Sequence, residues 1–220
     1  MSVLVKICGV NSVEAADAVL RAGADFAGLV FHPSSPRNLS SGEAAALAQR
    51  LRGRTRIVAV VADASDDFAG AVVSAARPDI LQCHGGETPE RIAALRERFG
   101  IAIMKAIAVS EASDLDAAPR FEPAADMLLF DAKAPAGAAR PGGRGAAFDW
   151  RLLRGRRFSR PWLLSGGLDA GNVAEAVACA SAPGVDVSSG VETAAGVKSP
   201  SLIQDFARAA RAASLAEAKP

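Results

Sequence analysis

The chain has 220 residues, half of them hydrophobic, with 25 basic and 24 acidic side chains that leave a formal net charge of +1. It is long enough to bury a large core and stays within the range of one barrel-sized domain, while the balanced charge offers no footprint for nucleic acid or an anionic membrane surface. No apolar run reaches the length of a membrane span, and the N-terminus lacks the basic-then-apolar pattern of a secretory signal, so a cytoplasmic protein is expected.

In chain order, short apolar runs at residues 3–8, 26–31, 56–62, 80–83, 101–107, 127–130, 162–165 and 185–188 read as strands. Between them lie Ala-rich segments with helix-start chemistry: Asn11 with Glu14, Ser40 with Glu43, Thr88 before Pro89, and Ser199 before Pro200. Gly23 and Gly100 stand where a C-cap glycine would turn a helix back toward the next strand. Residues 212–220 carry no apolar periodicity that demands packing and are expected to fray.

A strand leading into a helix, repeated eight times, is the pattern of an α/β TIM (β/α)8 barrel, expected as a single domain over residues 1–211. An open doubly wound sheet is the alternative. Against it, no GxGxxG follows the first strand, and the glycine-rich turns come after the late strands, where barrels usually hold phosphate. The connection from Asp131 to Phe148 is longer than the roughly 2 to 6 residues usual for such turns, and its Gly142-Gly143-Arg144-Gly145 suggests a flap over a phosphate.

The three cysteines, Cys8, Cys83 and Cys179, are widely spaced and form no CxxC or Cys/His cluster, and the two histidines, His32 and His84, are too few for a His-based metal site. Chemistry without metal or organic cofactor is expected. In a barrel, the side chains at the C-terminal ends of strands face one ligand, which brings Cys8, Arg37 and Asp131 into a single candidate site. Each has a plainer reading. A free cysteine usually serves as a small hydrophobe, an aspartate at a strand end often caps a helix, and an arginine in the Pro33-Ser34-Ser35-Pro36-Arg37 loop is usually solvated. A glycine pair alone is most often a tight turn.

Taken together, Lys6-Ile7-Cys8-Gly9, Ser35-Pro36-Arg37, Gln82-Cys83-His84-Gly85, Leu129-Phe130-Asp131, Gly142-Gly143, Ser165-Gly166-Gly167-Leu168 and Asp186-Val187-Ser188-Ser189-Gly190-Val191-Glu192 resemble one family. It is phosphoribosylanthranilate isomerase, the barrel enzyme of tryptophan biosynthesis, and the resemblance runs from Lys6 to about Lys198.

The resemblance implies the Amadori rearrangement of N-(5-phosphoribosyl)anthranilate, with Cys8 as general base and Asp131 as the general acid that protonates the furanose ring oxygen. Such an acid must hold its proton near neutral pH, which a site closed to water would favour. Arg37 would grip the anthranilate carboxylate through its planar fork. Gly142, Gly143, Gly145, Gly166, Gly167, Ser188, Ser189 and Gly190 would bind the phosphate. His84 either lines the site or is a satisfied structural histidine. Asp186 either reaches the substrate or pairs internally with Lys6, and Lys6, unless so paired, would favour the Cys8 thiolate. Cys83 is expected to be inert core. The expected partner is a small phosphosugar, with no nucleic acid and no membrane, bound by a monomer or homodimer.

Two rivals remain from the sequence. The histidine-pathway isomerase runs the same chemistry on a substrate with two phosphates, but that family uses aspartate where this chain has Cys8, and it needs a glycine-rich turn after the third strand that Val61-Ala62-Asp63-Ala64-Ser65 does not provide. A non-catalytic phosphosugar-binding barrel is the other.

Overall fold

The structure is a computed structural model that describes residues 2–133 and 147–213. Eight parallel strands close into a barrel in sequence order: β1 (Leu4–Cys8), β2 (Phe26–Val30), β3 (Arg56–Val61), β4 (Ile80–Cys83), β5 (Ala102–Val109), β6 (Met127–Ala132), β7 (Trp162–Leu164) and β8 (Gly184–Val187). The ring closes between β1 and β8 in a register that sets Lys6 opposite Asp186. Every strand falls on an apolar run read from the sequence, and the open doubly wound sheet is excluded.

Alternation along each strand sorts the apolar residues into two layers. Phe26, Val58, Ile80, Met104, Leu129 and Leu163 fill the barrel interior. Ile7, Leu29, Ile57, Leu81 and Ile103 face outward into the layer shared with helices α1 (Val13–Arg21), α2 (Ser41–Leu51), α3 (Asp66–Ala76) and α4 (Pro89–Phe99), and Phe130 faces outward from β6. The same alternation turns Lys6 and Cys8 inward with the first layer. At the N-terminal end of the sheet, Asp25, Asp79 and Asp126 accept hydrogen bonds from Val5, Ile57 and Ile103 N–H, tying successive strand starts together.

The helix starts largely follow the sequence. Ser40 and Glu43 form a reciprocal capping box, and Thr88 and Ser199 cap α4 and the last helix with proline at the first helical turn. The first helix differs: Ser12 is its cap, accepting from Ala15 N–H, while Asn11 reaches across to the Gly196 carbonyl. Asn and Ser are near-equivalent as caps, so the tertiary bond to Gly196 decides between them.

Among the described residues, not every strand leads into a full helix. After β5 come a 3₁₀ segment (Ala112–Ala117) and the single turn α5 (Ala118–Phe121), and after β6 a 3₁₀ turn (Trp150–Leu153) ahead of β7. Phe158 packs there with its ring 4.6 Å from Phe130 and edge-on to Trp162. After β7 comes α6 (Val173–Ala180). The stretch after β8 holds a 3₁₀ turn (Ser189–Val191), then a hairpin of β9 (Glu192–Ala194) and β10 (Val197–Lys198), before α7 (Pro200–Ala212). The flap read into residues 131–148 lies mostly outside the described residues, as do residues 214–220 of the tail.

Candidate active site

Cys8, Arg37, His84, Asp131, Asp186 and the turns after β7 and β8 all lie at the C-terminal end of the barrel. Lys6 and Cys8 point inward from β1, two residues apart. Lys6 is wholly buried and donates to Asp186 at 2.8 Å, and the second Asp186 oxygen accepts from Ser165 at 3.1 Å. The internal pairing with Lys6, one of the two sequence readings of Asp186, is present in the structure.

That pairing also revises the expectation for the thiol. Burial pushes the Cys8 thiol up, with Asp186 adding to it, and the pull of Lys6 and Lys198 toward the thiolate does not cancel the rise. Lys6 itself is held above the ordinary lysine value: burial opposes its charge, but Asp186 and Cys8 outweigh burial. Gly28 on β2 makes room for the sulfur, since a Cβ there would sit 3.0 Å from Cys8 Sγ.

Arg37 is buried, not solvated. Its side chain crosses the end of β1, where a Cβ on Gly9 would come within 2.3 Å of its Cδ, so Gly9 serves both a left-handed turn and the passage of this side chain. One edge of its guanidinium is already taken: Nε and Nη2 donate to the two carboxylate oxygens of Glu192 at 2.6 and 2.7 Å. Glu192 also accepts from Lys198 at 2.7 Å, and Lys198 donates to the Ser188 carbonyl at 2.8 Å. Burial pushes the Glu192 carboxyl up, but its two cations hold it below the usual range. Burial, with Arg37 adding to it, pulls Lys198 below the usual lysine value despite Glu192.

Across the mouth, β4 and β6 supply a polar chain. Gln82 Nε2 lies 2.9 Å from His84 Nδ1, and His84 Nε2 lies 3.2 Å from Asp131 Oδ2. With the Gln82 amide donating, Nδ1 accepts and Nε2 carries the proton toward Asp131. The other Asp131 oxygen accepts the N–H of Ala132 at 2.9 Å. His84 is thus a direct neighbour of the candidate acid. Cys83 between them faces outward into the core, where burial pushes its thiol up to about 12, as befits an inert residue.

The β7 and β8 turns lie against each other. Gly166 and Gly167 both take positive φ, and Gly190 lies against the β7 turn so closely that a Cβ would be 1.9 Å from the Leu168 carbonyl oxygen. Among the described residues, the N–H groups of Gly166, Gly167, Ser189 and Gly190 find no backbone acceptor. Asn172 braces the turn by accepting from Asp169 N–H and donating to the Gly167 carbonyl. Gly142, Gly143 and Gly145, together with Arg144, lie outside the described residues.

Sequence reading passed over Glu192 and Lys198 as actors, as well as Gln82, Ser165 and Gly28. A signal for the first two was present: a Glu and a Lys six residues apart around an Ala-Ala-Gly turn read as a short hairpin that pairs them.

Comparison with known proteins agrees with this arrangement. The family model for N-(5'-phosphoribosyl)anthranilate (PRA) isomerase matches residues 5–209. The N-(5'-phosphoribosyl)anthranilate isomerase of Rhodopseudomonas palustris is 52% identical over 213 residues, covering 97% of this chain and all of the relative. That of Nitrobacter winogradskyi is also 52% identical, covering 97% of this chain and 95% of its own. Among solved structures, the Thermotoga maritima phosphoribosyl anthranilate isomerase superposes with a TM-score of 0.85 at 35% identity, over 94% of this chain and 98% of its own. Another phosphoribosyl anthranilate isomerase, solved with reduced 1-(o-carboxyphenylamino)-1-deoxyribulose 5-phosphate, gives a TM-score of 0.81 at 33% identity over the same shares. With its barrel, its mouth residues and its relatives in agreement, the chain belongs to the N-(5'-phosphoribosyl)anthranilate isomerase family.

Proposed function

We propose that this protein converts N-(5-phosphoribosyl)anthranilate to 1-(2-carboxyphenylamino)-1-deoxyribulose 5-phosphate, the isomerase step of tryptophan biosynthesis. The observation that carries the reading is a buried thiol, Cys8, and a buried carboxyl, Asp131, presented at the same end of one barrel. Asp131, held by His84, gives a proton to the furanose ring oxygen. The anomeric C–O bond breaks and the nitrogen lone pair forms the Schiff base. Cys8, as the thiolate, takes the C2 proton, now acidified by the adjacent C=N, and the resulting enolamine ketonises with protonation at C1.

Ionising a buried thiol needs a nearby cation; Lys6 and Lys198 both pull Cys8 toward the thiolate, against burial and Asp186. The phosphate fits the free N–H groups of the β7 and β8 turns, and the substrate carboxylate fits the unoccupied edge of Arg37. The turns after β3 and β4 support a substrate with one phosphate. Their N–H groups at Asp63 and Gly85 are taken by Glu87, and that of Gly86 by Asp63, so a second phosphate would find these donors occupied. We place the enzyme in the cytoplasm, where a free thiol such as Cys8 stays reduced, acting as a monomer or homodimer without nucleic acid, membrane or cofactor.

Expression in a bacterium that lacks its own isomerase should restore growth without tryptophan, and neither Cys8→Ala nor Asp131→Asn should do so. In vitro each variant should lose about 10²- to 10⁴-fold in kcat with little change in KM. A near-normal kcat removes that residue from its role, and a folded wild-type protein that never supports growth contradicts the reading.

A further inference from the structure

The guanidinium of Arg37 has one edge spent on Glu192, yet the other is open: Nη1 and the second Nη2 hydrogen make no hydrogen bond among the described residues. Around it the charges do not balance. Lys6 and Asp186 cancel one for one, whereas Arg37 and Lys198 share the single carboxylate of Glu192 with every side chain in the cluster nearly buried. A buried excess of positive charge is costly unless a second anion completes it.

The cluster is also stiff. The hairpin that carries Glu192 and Lys198 is docked on the Arg37 loop so closely that a Cβ on Gly196 would lie 2.6 Å from the Pro36 carbonyl oxygen. Gly196 N–H donates back to Glu192, and Asn11 binds the Gly196 carbonyl from the β1 side. Lys198 ties the same hairpin to Ser188 at the phosphate turn.

We propose that Glu192 is a positioning residue for substrate specificity: it fixes Arg37 so that the open guanidinium edge presents two parallel N–H groups to the carboxylate on the substrate's aromatic ring. The inference rests on the assignment of Arg37 to that carboxylate. Glu192 touches no substrate atom. It acts by removing the rotational freedom of the fork, so the bidentate geometry is formed before binding.

The test compares two probes, reduced 1-(2-carboxyphenylamino)-1-deoxyribulose 5-phosphate and its phenylamino counterpart without the carboxylate, by calorimetric titration. Wild-type protein should prefer the carboxylated probe by about 10- to 100-fold, the value of a charge-assisted contact. Glu192→Gln should cut that preference to a few-fold at most while leaving affinity for the carboxylate-free probe unchanged. Should Glu192→Gln not fold, Glu192→Asp, which keeps the charge and withdraws it by one methylene, should show an intermediate preference. Equal loss on both probes, as a purely structural role would give, overturns the proposal, and so does an undiminished preference in the variant. A wild-type protein that turns over substrate but shows no preference fails the carboxylate assignment and the proposal while leaving the isomerase reading intact.

Discussion

Cys8, the proposed base, lies where burial makes a thiol hard to ionise. Lys6 alone does not solve this, because Asp186 neutralises it; the thiol stays raised with Lys6 and Lys198 both nearby. The free enzyme should therefore hold Cys8 as a thiol at neutral pH. Thiolate absorbance near 240 nm, taken as the difference between wild type and Cys8→Ser, should titrate above the ordinary thiol value of 9.0. Lys6→Met should push it higher still, since the variant removes a cation and leaves Asp186 without its partner. A midpoint below the ordinary value, or one indifferent to Lys6→Met, contradicts this electrostatic picture. At this scale the sequence conveyed which residues face the mouth, because strand ends and alternation are local properties. It did not convey which neighbours those residues have. Arg37 read as either solvated or bound to substrate, and the structure adds a third condition, a fork already half held by a carboxylate 155 residues away in sequence.

The turns after β7 and β8 complete a site whose Cys8 and Asp131 stand on strands, and the glycines of those turns are fixed by close approach. Gly190 is the clearest case, since its place against the Leu168 carbonyl joins the β7 and β8 turns into one surface. Gly190→Ala should force the two turns apart, raising KM for the phosphorylated substrate at least tenfold while the barrel still melts cooperatively. A KM within twofold of wild type would show that the turns do not act as one cradle. The Ser165-Gly166-Gly167 and Ser188-Ser189-Gly190 turns were legible as phosphate candidates because glycine pairs after late strands are a local pattern. The β9–β10 hairpin was not: strands of three and two residues lie below what periodicity resolves. Asn11 shows the same limit from another side. Its capping chemistry is visible in the sequence, but the Gly196 carbonyl that claims it is not.

For the whole molecule, the barrel was legible because parallel strands buried on both faces read as unbroken apolar runs, and eight of them in near-regular spacing leave few ways to close. Among the described residues the clearest exception falls after β5, where a 3₁₀ segment and a single helical turn stand in place of a longer helix. Buried charge gathers at the barrel mouth, where Lys6, Arg37, Asp131, Asp186 and Lys198 lie together. The most direct test follows the loss of anthranilate-type fluorescence when purified protein meets phosphoribosylanthranilate generated in situ, with Cys8→Ala run beside it. The account predicts rapid decay with the wild type and only the uncatalysed rate with the variant; a folded wild-type protein that binds the substrate and leaves its fluorescence unchanged would contradict it.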